Sequence, residues 1–219
     1  MATISKENYL KAIYDLAYEN DDGVPTSLLA KELNISNAAI SEMASKLSDQ
    51  GLIEYKKYKG LKILAKGKKI AKNVIRKHRL WELFLMETLN MNWGEVHDEA
   101  EKLEHSTSDR LIDKIDEYLN FPTSDPHGAP IPDKTGGYRI DIDDLSMSEC
   151  RVGDTYLISR VNDKRKDLIV YLSKINMTLN KEIKVVDRLK FDGSVIIEIE
   201  GVSHTLSEKL IQNIFIKKI

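Results

Sequence analysis

Cysteine is nearly absent from this chain. Its 219 residues include one, Cys150, so no disulfide closes within it and no thiolate-rich metal site can be built. Long apolar runs are missing too. No stretch approaches the ~18 consecutive apolar residues that span a bilayer, and Met1–Glu7 lacks a basic segment followed by an apolar run. The expectation is a soluble, cytoplasmic protein with no membrane partner. Proline is scarce, and four of the five (Pro122, Pro126, Pro130, Pro132) crowd one stretch, which leaves most of the chain to regular elements.

The net charge of −2 conceals an uneven distribution. Residues 1–80 carry 15 Lys/Arg against 9 Asp/Glu, and 12 of those 15 follow position 45. Residues 81–145 reverse the balance, 5 against 16, and residues 146–219 return to 13 against 10. A basic first segment suits a polyanion, and an acidic middle segment suits cations.

Apolar spacing predicts a helix over residues 5–20, with Tyr9, Ile13, Leu16 and Ala17 on one face. Asp21–Pro25 breaks it. Thr26 is expected to cap a short helix through Leu33, and Asn34-Ile35-Ser36 to turn the chain into a third helix, Asn37 to Gln50, stopped by Gly51. Residues 52–57 and 61–64 flank Tyr58-Lys59-Gly60 as a β-hairpin. A long helix follows over 66–89, then one capped by Asn90 or Asn92, then one over 106–119 with Leu111, Ile112, Ile115 and Leu119 as its apolar face. Residues 120–139 read as irregular. From about Leu145 the pattern becomes short β-type runs (155–161, 183–186, 194–199), with a helix at 168–174 and a closing apolar run at 211–219.

Helix, short turn, helix and basic hairpin is the order of a winged helix-turn-helix, whose second helix enters the major groove. The candidate DNA contacts are Thr26, Ser27, Ser36, Asn37, Ala38, Ala39, Ser41, Glu42 and Lys46, with Lys57 and Lys59 on the wing. Short hydroxyl and amide groups reach phosphates and base edges, alanines permit close approach, and lysines meet phosphate.

Downstream lies a dense set of metal-ligand side chains. His97, Glu101, Glu104 and His105 form one stripe at helical spacing, and His78 and Glu82 form an i, i+4 pair on the preceding helix. Four of the five histidines (His78, His97, His105, His127) fall between 78 and 127, each with a carboxylate at ligand spacing, whereas His204 reads as structural. Imidazole and carboxylate without thiolate suit Mn²⁺ or Fe²⁺.

These residues resemble the diphtheria-toxin-repressor-like, iron- and manganese-dependent transcriptional repressors over nearly the whole chain. The likeness rests on Glu7–Tyr14, Arg76–Leu80, His97–His105, Asp125–Pro132 and Arg160–Asp163. It implies a mainly α protein with a small β domain. Residues 1–65 would form the winged helix-turn-helix, 66–140 a helical metal-binding and dimerisation domain, and 145–219 an SH3-like (FeoA-like) β-barrel. It also implies a primary metal site at Glu101, Glu104 and His105, with His78 nearby and Asn8 from the first helix. A second site falls on Glu82, Asp125, His127 and Asp163, and His97 joins His78 and Glu82 as an ancillary set. Glu101 stands where iron-responsive members carry cysteine, and Asp125 where some manganese members do; the likeness is therefore to the manganese branch, with Mn²⁺ as the ion and Fe²⁺ as its alternative.

The implied function is a non-enzymatic repressor: a homodimer that binds palindromic operators of metal-uptake genes, its recognition helices roughly 34 Å apart, with no organic cofactor. Two alternatives stay open on the residues alone. One is a winged-helix regulator with a non-metal effector; the other is a His/Glu metalloenzyme.

Overall fold

The structure is a computed structural model that describes residues 6–17, 23–56, 60–140, 143–162 and 166–219. It divides into two compact units, one of Met1–Lys77 with Pro132–Gly137, the other of His78–Ile131 with Tyr138–Ile219.

The first unit holds α1 (Lys6–Ala17), α2 (Thr26–Glu32), α3 (Asn37–Asp49), the antiparallel hairpin β1 (Ile53–Lys56) and β2 (Gly60–Ile63), and the start of α4 (Ala65–Leu89). Leu10, Ile13, Leu29, Ile40, Leu47 and Leu61 close its core, each buried side chain contributing about 1.5–3 kcal/mol. Ser36 caps α3, accepting the Ala39 N–H at 3.2 Å. Thr26 does not cap α2 as expected. Pro25 holds the extended cap position (ψ 139), and its carbonyl accepts from Leu28 and Leu29, so Thr26 is already the first helical residue.

Val24 adds a bridge outside the expected hairpin, exchanging backbone hydrogen bonds with Leu61 at 2.9 and 2.8 Å. That approach needs Gly60, because a Cβ there would lie 2.7 Å from the Val24 carbonyl oxygen. The Pro132–Gly137 segment is shaped by Asp133, whose Oδ1 accepts from the Thr135 and Gly137 N–H groups, and Lys72 donates to the Gly136 carbonyl at 2.6 Å.

In the second unit, α5 (Val96–Leu103) and α6 (Asp109–Tyr118) follow the second half of α4. Neither Asn90 nor Asn92 caps α5. Glu95 occupies that position, and Asn92 donates instead to its carboxylate. Ser108 caps α6, which starts later than residue 106, and Leu111 faces outward while Ile112 and Ile115 are buried. Residues 120–131 are irregular but tied down: Arg139 forks onto Asp116 at 3.1 and 2.7 Å and donates to the Pro122 carbonyl.

The C-terminal part is a six-stranded antiparallel sheet in the order β3-β8-β4-β5-β6-β7. Its strands are β3 (Leu145–Ser146), β4 (Thr155–Val161), β5 (Glu182–Arg188), β6 (Val195–Ile199), β7 (Val202–Leu206) and β8 (Ile214–Lys218), with α7 (Lys166–Lys174) and α8 (Glu208–Ile211). Ile158, Leu172, Met177, Ile183, Val195 and Ile216 sit at the centre of its core. The closing apolar run is split, since Ile211 ends α8 under a Ser207 cap before β8 begins. No helix among the described residues is long and apolar enough to cross a membrane.

Candidate metal centre

His78 lies at the middle of α4, and its ring is a hub. Its Nδ1 stands 2.6 Å from Glu104 Oε2. Its Nε2 stands 3.0 Å from Glu82 Oε1 and 3.1 Å from His97 Nδ1. His97 Nδ1 is in turn 3.1 Å from the same Glu82 oxygen. Glu101 Oε1 approaches His78 Nδ1 at 3.8 Å, and His105 Nε2 approaches Glu104 Oε1 at 3.3 Å. Glu82 and Glu104 are fully buried.

Helix geometry explains this meeting. His78 and Glu82 share a face of α4 one turn apart, and α5 presents His97 and Glu101 at the same spacing. Glu104 lies one residue past α5 yet keeps helical angles (φ −55, ψ −38), so it stays on the stripe.

Asp125 and His127 come from the irregular segment. Asp125 Oδ1 accepts the His127 and Ala129 N–H groups at 2.8 and 2.9 Å, so this oxygen builds the loop. Oδ2 faces Arg79 Nε at 3.5 Å, and Arg79 also donates to the Pro130 carbonyl. His127 is 1 % exposed and brings Nε2 to 3.9 Å from Glu82 Oε1. One buried carboxylate oxygen is therefore approached by three imidazoles, those of His78, His97 and His127.

The residues present fit a divalent cation. His78, His97 and Glu101 each offer one ligand atom, and all three lie within 4.8 Å of one another. The donors are nitrogen and oxygen only, and two of the carboxylates are cut off from water. Burying an anion is costly unless positive charge sits beside it, and a hard cation with imidazole and carboxylate ligands answers that need.

The expected donors divide into three groups. His78, Glu82, His97, Glu101, Glu104 and His105 come together, and Asp125 and His127 adjoin them. Asn8 is half-buried on α1 in the first unit. Asp163 lies outside the described residues, as do the wing lysines Lys57 and Lys59. Sequence reasoning assigned no part to Arg79, Trp93 or Gly128. Of these, only Gly128, inside a Pro-His-Gly-Ala-Pro run, announced a tight turn.

Of the DNA candidates, Ser27, Asn37, Ala38, Glu42 and Lys46 are exposed, while Thr26, Ala39 and Ser41 are half-buried. Exposed Ser36 spends its oxygen on the helix cap, and Ser41 donates its hydroxyl back to the Asn37 carbonyl. Lys46 pairs with Glu42 at 2.7 Å, which holds the Glu42 carboxyl below its ordinary value through the hydrogen bond and the adjacent positive charge.

Comparison with known proteins bears directly on these features. The N-terminal DNA-binding domain of the iron dependent repressors matches residues 1–61, their metal binding and dimerisation domain matches 65–133, and the FeoA domain matches 145–218. An uncharacterised HTH-type transcriptional regulator of Methanocaldococcus jannaschii is 38% identical over 111 residues, 51% of this chain and 89% of that one. The iron-dependent repressor IdeR of Mycobacterium tuberculosis is 36% identical over 128 residues, 58% of this chain and 54% of that one, so the match spans about half its length. A manganese-dependent transcriptional repressor in complex with manganese superposes with a TM-score of 0.91 at 35% identity, covering 98% of this chain and 100% of that one. These relatives are transcriptional regulators and repressors rather than enzymes, which sets the metalloenzyme alternative aside. The chain belongs to the iron-dependent repressor family of metal-dependent, DNA-binding transcriptional regulators.

Proposed function

We propose that this protein is a Mn²⁺-responsive repressor that binds operator DNA as a homodimer, with Fe²⁺ as the alternative activating ion. One observation carries the reading: an all-nitrogen-and-oxygen donor cluster centred on buried His78, Glu82 and Glu104. Likeness to a repressor holding manganese, at 35% identity over 98% of the chain, supports Mn²⁺. In this reading Glu101, Glu104 and His105 hold one ion. Glu82, Asp125 and His127, with Asp163, hold a second. His78 and His97 stand between the two sets. Residues 1–65 contact DNA, 66–140 hold metal and dimerise, and 145–219 form the third domain.

A bound divalent cation supplies the positive charge that the buried carboxylates require. The chain's own residues do the rest. Glu104 and Glu82 grip opposite nitrogens of the His78 ring, so the two donor sets share one imidazole plane. Arg79 holds Asp125 and the Pro130 carbonyl, fixing the loop that carries His127. The α3 face from Asn37 to Lys46 and the wing lysines meet base edges and phosphates in two half-sites of a palindrome, at metal-uptake genes. Regulation requires the donor set to bind the ion more tightly in the DNA-competent arrangement, because equal affinity for both arrangements shifts nothing.

The test is selection of duplexes from a random pool with Mn²⁺ present, followed by binding measurements on metal-free protein with Mn²⁺, Fe²⁺ or Zn²⁺ added separately without oxygen. Tighter binding with Mn²⁺ or Fe²⁺ is expected, on a palindromic consensus. Equal affinity with and without every ion would refute the proposal.

A further inference from the structure

Trp93 lies in the turn between α4 and α5, half-buried and outside every ligand set considered above. Its indole stacks on the His127 imidazole, with ring centroids 5.2 Å apart and planes 21° from parallel. Its Nε1–H donates to the Pro126 carbonyl at 2.9 Å. One side chain therefore holds both the face of the His127 ring and the peptide that precedes it. The segment is also held by the sheet. The Val161 N–H donates to the His127 carbonyl at 2.9 Å, and Gly128 lies so close to β4 that a Cβ would be 2.1 Å from the Ser159 carbonyl oxygen. Trp93 itself packs against the core of the sheet domain.

An imidazole that ligates a metal must be held in one plane. A ring hydrogen bond to a neighbouring carboxylate or carbonyl usually does this, and losing such a partner costs about 10- to 100-fold in metal affinity. Stacking on a rigid aromatic with only two side-chain torsions fixes a ring plane while leaving both nitrogens available in that plane. We infer that Trp93 is a positioning residue for His127: it sets the imidazole plane of the second metal set, and its emission reports occupancy there. This rests on the assignment of His127 to a metal set in the proposed function.

The experiment uses full-length, metal-free protein as wild type, Trp93→Phe, Trp93→Leu and His127→Ala. Mn²⁺ binding is followed by calorimetry and by tryptophan emission, with the Trp93 signal taken as wild type minus Trp93→Phe. His127→Ala is expected to lose one class of Mn²⁺ sites. Trp93→Leu is expected to weaken that same class by about tenfold and leave the other unchanged. Trp93→Phe, which keeps the aromatic face, is expected to retain most of the affinity. Trp93 emission should change in step with the His127-dependent class. Wild-type affinity in a folded Trp93→Leu variant overturns the positioning role. Should that variant not fold, the emission arm decides, and a Trp93 signal unmoved by Mn²⁺ overturns the role. Mn²⁺ binding unaltered in His127→Ala overturns the site assignment instead.

Discussion

Replacing Gly128 with alanine tests how the loop carrying His127 is seated. The residue has φ +86, and an added Cβ would meet the Ser159 carbonyl oxygen at 2.1 Å and the Arg160 Cα at 2.9 Å, both backbone atoms. Alanine pays about 1–2 kcal/mol for the left-handed backbone alone. The overlap cannot be relieved by turning a side chain, so the loop must move off β4. It then loses the hydrogen bond from Val161 to His127, a buried pair whose separation costs about 1–3 kcal/mol. The sum is about 2–5 kcal/mol. At roughly 2–4 °C per kcal/mol for a chain of this size, the melting temperature falls by about 4–20 °C.

Gly153 supplies the control. Its φ is +90, yet nothing lies within 4 Å of an added Cβ, so Gly153→Ala pays the backbone penalty only. Urea unfolding of both metal-free variants, followed by circular dichroism, separates the two contributions. Stability of Gly128→Ala within about 0.5 kcal/mol of Gly153→Ala, at most half the cost of a broken buried hydrogen bond, would refute the seating argument.

Three further outcomes are expected. Glu104→Ala should keep fold and dimer but abolish Mn²⁺-stimulated operator binding, because His78 and His105 both lean on that carboxylate; full stimulation in a mobility-shift assay would sink its assignment. Charge reversal at Lys57 and Lys59 should weaken binding to every duplex and flatten the salt dependence by about 0.9 per lost phosphate contact; an unchanged slope would remove the wing from the interface. The third concerns Asp154, whose carboxyl is held below its ordinary value first by the hydrogen bond from Lys218 at 2.7 Å. A depressed folded value stabilises above the ordinary carboxylate range, and that contribution is lost as pH falls through the lowered value. Lys218→Met should therefore lower the melting temperature at neutral pH, with the gap closing below about pH 4; a gap that persists at pH 2 would contradict the cause assigned.

Much of the helical part was legible because long amphipathic runs carry their own period. α4 and α3 lie within one residue of expectation at each end. Caps were less legible, since a cap depends on one residue's backbone angle: Pro25 took the position expected of Thr26, and Glu95 that expected of Asn92. β7 was missed because only its last residue, Leu206, is buried, which leaves no apolar alternation, and α8 is a single four-residue turn. For the metal centre, spacing along α5 announced the stripe from His97 to His105. It could not reveal that His78 would stand between Glu82 and Glu104, because that follows from how α4 and α5 approach each other. The Trp93 stack on His127 joins residues 34 positions apart and left no periodic trace.

Asp125 has a consequence for how readily this regulator could change its metal. Its two oxygens do different work: Oδ1 gathers the His127 and Ala129 amides, and Oδ2 faces the Arg79 guanidinium. Cysteine at this position would offer a softer donor but only a weak acceptor, so the His127 and Ala129 amides would lose their partner as the new ligand arrived. A change of preference at residue 125 therefore carries a cost in loop stability when it is made as a single mutational step. That cost falls once the amides of His127 and Ala129 have found another acceptor, which makes the order of substitutions part of any drift between metals.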